Sequence, residues 1–395
     1  MIEVMRMEDN SLFIDIDIAQ QQKYLENICG DFFLSKRYPE EGRLIAVLSD
    51  GLGSGIKANI LSSITATMLL NFIAAGKDSL KAAETVMNSL PICKVRKISY
   101  STFSTIDCSD DGRAQIVEEG NPKFLWIRDE KIIETEPVVL SSKVFEDREL
   151  NIYKIQLKPD DRIIFCSDGV TQAGLGSDNL RLGWRRNGLI EFVLDRLRVK
   201  NISSRQLAQE IVTEAIKKED YAKDDISAAV IHFRNPRKLL VFTGPPYYSD
   251  RDNEYANLFD SFEGKKVICG GTTANLVARE LNRKIESNYK QNYGDLPSCS
   301  VMDGADLITE GILTLTRAVE YLENNNGNFP QDSAGKLVNI LLNSDCIDFM
   351  VGSKLNQAHY DPEMPVELEI RKTVIKRLVR ILQENYVKKV SLKFI

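Results

Sequence analysis

The run Leu44-Ile45-Ala46-Val47-Leu48-Ser49-Asp50-Gly51-Leu52-Gly53-Ser54-Gly55 constrains this chain more than any other stretch. An apolar segment rich in branched residues stops at an acid and three alternating glycines, and an amphipathic pattern follows from Ile56 to about Ala75. The pattern predicts a buried strand, a tight turn and a helix. An acid at the end of a buried strand has a stiff backbone and a side chain that can reach a cleft, and glycines beside it let carbonyl oxygens approach whatever the carboxylate binds. Hard divalent cations take such oxygen donors. The plainer alternative is that Asp50 only caps the helix.

Glycines before a helix can also cradle phosphate, but the nucleotide patterns fail. Gly51-Leu52-Gly53 would need glycine at position 56, where Ile56 stands, and the Gly-Lys pairs at Gly76, Gly264 and Gly335 continue with Asp78, Lys266 and Leu337 rather than Ser or Thr. Meanwhile the grammar of strand, acid and glycine recurs. Asp161 to Val170 is a second apolar strand ending in Ser167-Asp168-Gly169, Lys223-Asp224-Asp225-Ile226-Ser227 sets adjacent acids before another strand, and Gly30-Asp31-Phe32-Phe33 adds one more acid beside a glycine. Together these are the acids of a two-metal site dispersed along the chain.

In this order the motifs resemble the metal-dependent serine/threonine protein phosphatases of the PPM (PP2C-like) superfamily, in the bacterial branch named after the sporulation phosphatase SpoIIE. Gly30 to Phe33, Ser49 to Ala58, Ser167 to Gly169 and Asp224 to Ser227 match residue by residue. The segment from Ser104-Thr105-Ile106-Asp107 to Glu119-Gly120-Asn121-Pro122 matches too, with Asn121 where His is usual. The resemblance covers roughly residues 10–235. It implies an α+β fold, a PP2C-like β-sandwich flanked by helices, and two Mn²⁺ or Mg²⁺ ions that activate water for attack on phosphorus. It further implies that Asp50 bridges the ions, that the Gly51 carbonyl binds one, that Asp168 and Asp224 hold the other and that Asp31 acts through a water. Asp50, Asp168 and Asp224 are thus the catalytic candidates. Asp225 has a less defined role, and no arginine can be assigned to dock the substrate phosphate. The expected substrate is a phosphorylated protein, with a STAS-domain antagonist as the type that relatives act on, and regulation through rotation of the helices after residue 55, fixed by a partner or a homodimer contact. A phosphoprotein-binding pseudophosphatase is the alternative, disfavoured because every acid is present.

Composition agrees with two domains. The chain has 395 residues, 43% of them hydrophobic, enough for two cores, with a phosphatase-like domain over 1–236 and a separate α/β domain over 237–395. Its net charge of −6 provides no basic field for nucleic acid, so none is expected as a partner. The seven cysteines at 29, 93, 108, 166, 269, 299 and 346 have no metal-ligand spacing, and none is followed by Arg six positions on, which excludes the phosphate loop of a cysteine-dependent phosphatase. Reduced thiols, the absence of an apolar run approaching a membrane span and a start without signal-peptide pattern give a cytoplasmic expectation with no membrane partner.

Along the chain, Leu12 to Ile18 alternates and reads as a half-exposed strand. Its Asp15 and Asp17 also fit the Asp-x-Asp of a haloacid-dehalogenase-type phosphatase, although Ala19 stands where Thr or Val is usual and alternation explains both acids. Helices are expected over 56–75 and 78–90, with Ile60, Ile64, Met68, Leu69 and Phe72 as the core face. Strands follow to Leu157, turning at Asp110-Asp111-Gly112 and Asp129-Glu130, then helices at 188–197 and 204–217, the second capped by Ser203 or Ser204. After Pro236 a strand at 238–242, a polar loop, a strand at 265–269 and a helix to about Asn282 are expected. Helices at 309–324, 333–343 and 365–385 come next, with strands at 347–351 and 389–395. The Gly270-Gly271-Thr272-Thr273 turn is a candidate anion site at a helix N-terminus, against an ordinary strand-to-helix turn. His232 and His359 are expected to be structural or exposed.

Overall fold

Two antiparallel sheets face each other in the first half of the chain. In the computed structural model the order is β1 (Phe13–Gln21), β2 (Phe32–Tyr38), β3 (Arg43–Gly51), α1 (Gly55–Ala74), α2 (Ser79–Ser89), β4 (Ser101–Ser109), β5 (Arg113–Glu119), β6 (Leu125–Arg128), β7 (Lys131–Ile132), β8 (Val138–Ser141), β9 (Glu149–Gln156), β10 (Arg162–Cys166), the one-turn α3 (Asp168–Thr171), α4 (Arg185–Leu197), α5 (Ser204–Lys217) and β11 (Ile226–Arg234). The structure describes residues 11–89, 101–141, 149–198, 202–287, 296–324, 329–353, 364–386 and 388–395. Cys93 and His359 lie outside them.

The sheets run β2-β3-β4-β5-β9-β8 and β1-β11-β10-β6-β7. Leu44, Ala46 and Leu48 of β3 enter a layer shared with Ile163, Phe165, Ile231 and Phe233 of the other sheet. Ile45 and Val47 point the opposite way, onto Leu69, Leu70 and Ile73 of α1 and Val86 of α2. Ile164, Cys166 and Val230 likewise leave the inter-sheet layer to meet α4 and α5. Both faces of β3 are therefore covered, which is why its sequence is continuously apolar instead of alternating. The result is four layers, helices outside two sheets. Ser203 caps α5 by accepting a hydrogen bond from the Gln206 amide at 3.1 Å, and Asp129 and Glu130 both take positive φ at their hairpin turn.

Helix α1 corrects one expectation. Ile60 and Ile64 belong to no core; with Ile56 they form an exposed stripe, while Ala58, Ser62, Thr65, Ala66, Leu69 and Ile73 face inward. Contact with the end of β3 decides this, because a Cβ on Gly51 would fall 2.0 Å from the Ala58 carbonyl oxygen. Only small side chains fit so close a crossing, and a helix apolar on most sides gives periodicity no means of choosing between faces. The same apolarity makes α1 long and hydrophobic enough, by length and composition, to cross a membrane, contrary to the expectation from the sequence; here its small-residue face packs on the sheet. α4 also starts earlier than expected, at Arg185.

A second compact unit begins at Pro236. It comprises β12 (Lys238–Thr243), α6 (Asp252–Ser261), β13 (Lys265–Cys269), α7 (Gly271–Glu280), β14 (Glu286–Ser287), β15 (Ser300–Val301), β16 (Leu307–Thr309), α8 (Ile312–Asn324), α9 (Ser333–Leu342), β17 (Cys346–Val351), α10 (Met364–Glu384) and β18 (Lys389–Phe394). Its sheet is ordered β14-β15-β16-β13-β12-β17-β18, and from β16 to β18 every pairing is parallel. The first strand lies centrally, with the second and third on one side and the fourth and fifth on the other. This is the doubly wound arrangement. Leu239, Val241, Val267 and Phe349 pack under α8, α9 and α10, and Leu240, Phe242, Ile268 and Met350 under α6 and α7. Two expectations fail here. The polar loop after Pro246 contains α6, whose Tyr255 and Phe259 rings pack on Phe242 with centroids 4.0 and 5.3 Å away. Thr309 ends a buried three-residue strand instead of opening a helix, a segment too short to carry a period.

The tight crossing yields a contrast. Ala58→Leu should destabilise residues 11–235 by about 1–3 kcal/mol, whereas Ile60→Gln should change stability by less than about 0.5 kcal/mol. Urea denaturation of both variants checks it, and equal costs would refute the assigned face.

Candidate metal centre

Four chain segments deliver acids to one end of the sandwich. Asp50 is the penultimate residue of β3, and Gly53 and Gly55 then take φ of 107° and 67°, values that let the chain turn at once into α1. Asp31 immediately precedes β2, the antiparallel neighbour of β3. Asp168 follows β10 as the first residue of α3, and Asp224 and Asp225 precede β11, which pairs with β10. Two acids come from one sheet and three from the other, because in each antiparallel pair one strand ends and its neighbour begins at this edge.

The electrostatics show how close these groups are. Burial, then the charges of Asp31, Asp168, Asp224 and Asp225, push the Asp50 carboxyl up to about 9. Asp31, only 2% exposed, is pushed by burial up to about 7, against the lowering effect of hydrogen bonds from Ser227 and Ser167. Burial also raises Asp168 and Asp224. Among the described residues no three His, Cys, Asp or Glu side chains close on a single point, so the acids form an open ring of neighbours.

Each acid has a support. The Ser227 hydroxyl donates to Asp31 Oδ2 at 2.6 Å, while Asp31 Oδ1 is buried with no partner. Gln172 donates to Asp168 Oδ2 at 2.7 Å. The Ser101 hydroxyl donates to the Asp50 carbonyl at 2.9 Å and lies 2.6 Å from Ser49 Oγ. Asp225 accepts from the Lys23 amide at 3.0 Å and leaves no room for a side chain at Gly30, whose Cβ would fall 2.7 Å from Asp225 Oδ2. Asp225 therefore pins the loop that precedes Asp31, a structural role that its sequence position left undefined. Asn121 accepts from Thr102 at 2.5 Å and donates to Ser104 at 3.2 Å. Ser104 in turn donates to the buried Glu118. The serines were visible in the motifs but carried no role; Glu118, Gln172 and Lys23 gave no sequence signal.

The donors suit a hard divalent ion. All are oxygens, as such ions require, and an orphaned buried carboxylate oxygen on Asp31 is a group that needs a cation or a donor. Other candidates lie elsewhere. Asp15 sits opposite His232 and accepts from Ser204 at 3.0 Å; His232 is five positions along β11 from Ser227, about 17 Å at the rise of an extended strand. This separates Asp15 from the acid ring, and its bond to Ser204 accounts for its carboxylate on the strand. His232 is held near 4 by burial and so stays neutral. The six cysteines among the described residues are free. Burial pushes Cys166 up to about 12, and burial with Asp31 and Asp225 raises Cys29 as well.

Comparison with known proteins bears on the segment that carries these acids. The family model "Stage II sporulation protein E (SpoIIE)" matches residues 40–234. This segment belongs to the SpoIIE family. Stage II sporulation protein E of Priestia megaterium is 23% identical over 222 residues, 55% of this chain and 36% of that protein. The Bacillus subtilis (strain 168) protein of the same name is 24% identical over 212 residues, 52% of this chain and 24% of its own length. The chain thus spans about a third and a quarter of these two relatives. A solved structure of the PP2C phosphatase domain and a fragment of the regulatory domain of Bacillus subtilis SpoIIE has a TM-score of 0.47 at 20% identity, covering 57% of this chain and 64% of that one.

Glu118, in the SpoIIE-type segment, supplies a pH test away from the ring. It is 2% exposed, and burial raises it from 4.5 to about 8. A raised carboxyl contributes its full stability below the unfolded value and loses it as pH rises through the folded one. Thermal melts of Glu118→Gln should therefore fall less than wild type between about pH 4.5 and 8; parallel curves would refute a buried neutral Glu118.

Proposed function

We propose that this chain is a metal-dependent serine/threonine protein phosphatase that hydrolyses a phosphoserine or phosphothreonine in a partner protein. The observation that carries the reading is the group of Asp31, Asp50, Asp168 and Asp224, drawn from both sheets to one end of the sandwich, where burial first and the neighbouring carboxylates second push Asp50 up to about 9. These residues and the Gly51 carbonyl would hold two Mn²⁺ or Mg²⁺ ions. When bound, such ions supply Lewis-acid activation of water and stabilise charge at phosphorus. The chain's own part is positioning. Ser101 fixes the Asp50 backbone, Gln172 orients Asp168 and Ser227 orients Asp31. No side-chain nucleophile is required, and Cys166, buried and protonated, serves packing.

The partners of this reading are proteins. A phosphorylated STAS-type antagonist in a signalling or transcription circuit is the substrate type we favour. A second copy of the chain is the contact that would fix α1. Because Gly51 touches Ala58, movement of α1 reaches Asp50 directly.

Phosphate release from a phosphoserine peptide in Mn²⁺ tests the proposal. Changing a residue that only orients a metal ligand costs about 10–100-fold, so Asp50→Asn should cost more, with the far-ultraviolet spectrum unchanged. Cys166→Ala should retain turnover. Wild-type turnover in Asp50→Asn would sink the two-metal reading, and wild-type protein that binds the phosphopeptide without releasing phosphate would make it a pseudophosphatase.

A further inference from the structure

We propose that residues 236–395 carry a separate phosphate-binding site at the carboxyl edge of the parallel sheet, centred on Gly270 and Gly271 at the start of α7, for a phosphorylated small molecule. In an open sheet wound in this order, ligands lie outside the carboxyl ends of the strands. Two glycines at that edge are explained by packing. A Cβ on Gly352 would fall 2.0 Å from the Pro245 carbonyl oxygen, and one on Gly244 2.7 Å from that of Gly352. Gly271 is different, because nothing lies within 4 Å of its Cβ position and its φ is not positive. Neither packing nor backbone shape requires glycine there, and the space above the first turn of α7 stays open.

Gly270 supplies the approach. Its φ of 135° favours glycine, and no side chain caps the helix. The first amides of α7 and its dipole therefore face the open space, the arrangement that attracts an anion. The neighbouring α8 is already served, since the Glu310 carboxylate accepts from the Leu313 amide at 3.1 Å. α7 has no such acid.

Two buried hydroxyls flank the turn without partners. Thr314, in the first turn of α8, is 0% exposed and its Oγ1 bonds nothing. Helical side chains lean towards the N-terminus, so this hydroxyl leans towards Gly311, whose Cβ would come 3.6 Å from the Gly270 Cα. Thr243 ends β12, is 1% exposed and also has an unpaired Oγ1. Phe242 pairs with Ile268, which places Thr243 beside Cys269, the residue before Gly270. A buried hydroxyl with no acceptor or donor is unfavourable, and an anion oxygen at the turn would supply the acceptor.

The test uses the full-length protein in EDTA, which removes metal-dependent phosphate uptake at the acid ring. Inorganic phosphate, ADP and adenosine are each titrated, with thermal shift and ³¹P line broadening as readouts. Phosphate and ADP should raise the melting temperature and adenosine should not. Gly271→Asp has room to fold, places a carboxylate in the first turn and should weaken phosphate binding roughly tenfold or more, as expected when a like charge faces the anion. Thr314→Val should keep or raise the basal melting temperature and weaken phosphate several-fold. The Asp50→Asn variant should bind phosphate unchanged, which separates this site from the phosphatase reading. The proposal is overturned if neither phosphate source shifts the wild type, if Gly271→Asp responds as the wild type does, or if adenosine matches ADP.

Discussion

Bringing Asp31, Asp50, Asp168 and Asp224 together at the end of a sandwich is electrostatically unfavourable, and much of the first unit is arranged to sustain it. Burial and like charge hold Asp50 near 9, so the unassisted ring binds protons where a surface acid would be ionised. A hydroxyl donor offsets part of this at Asp31, through Ser227, and Gln172 does so at Asp168. What remains unmet is the Asp31 Oδ1 edge. On the proposed reading, oxygens with residual negative charge and an orphaned acceptor would favour a small hard cation through charge density.

The strands make that ring possible because their ends are stiff. β3 and β4 pair as far as Gly51 and Ser101, so the Asp50 backbone is laddered up to the turn. Beyond it the chain has no freedom to relax, since Gly51 rests against Ala58. The contact that positions Asp50 is also the one that seats α1. In the first half of α1 the large residues lie on its outer face, where Ile56, Ile60 and Ile64 are exposed, while Leu69, Leu70 and Ile73 further along pack on the sheet.

How much of this the sequence disclosed depends on what each residue interacts with. Asp31, Asp50, Asp168 and Asp224 were legible because each sits at an abrupt change of pattern, where an apolar strand meets an acid and a glycine or a second acid. The sandwich flanked by helices was expected from the resemblance of the motifs, and the unbroken apolar run of β3 fits it because both its faces are covered. The outward face of Ile60 and Ile64 was not legible, because the contact that settles it involves Gly51, distant in pattern though near in sequence. Glu118, Lys23 and Gln172 were invisible because their roles arise from partners on other strands or turns. In the second unit α6 was hidden by polar neighbours around Tyr255 and Phe259, whose stacking on Phe242 only the tertiary fold creates.

The two units solve the problem of buried polar groups in opposite ways. In the first, carboxylates are crowded and hydroxyls donate to them, leaving a deficit of positive charge. In the second, Thr243 and Thr314 are hydroxyls with nothing to donate to, beside a helix start with no capping side chain, which leaves a deficit of acceptors. On the two proposals made above, a cation would answer the first imbalance and an anion the second, which is one physical account of buried polar atoms left without protein partners.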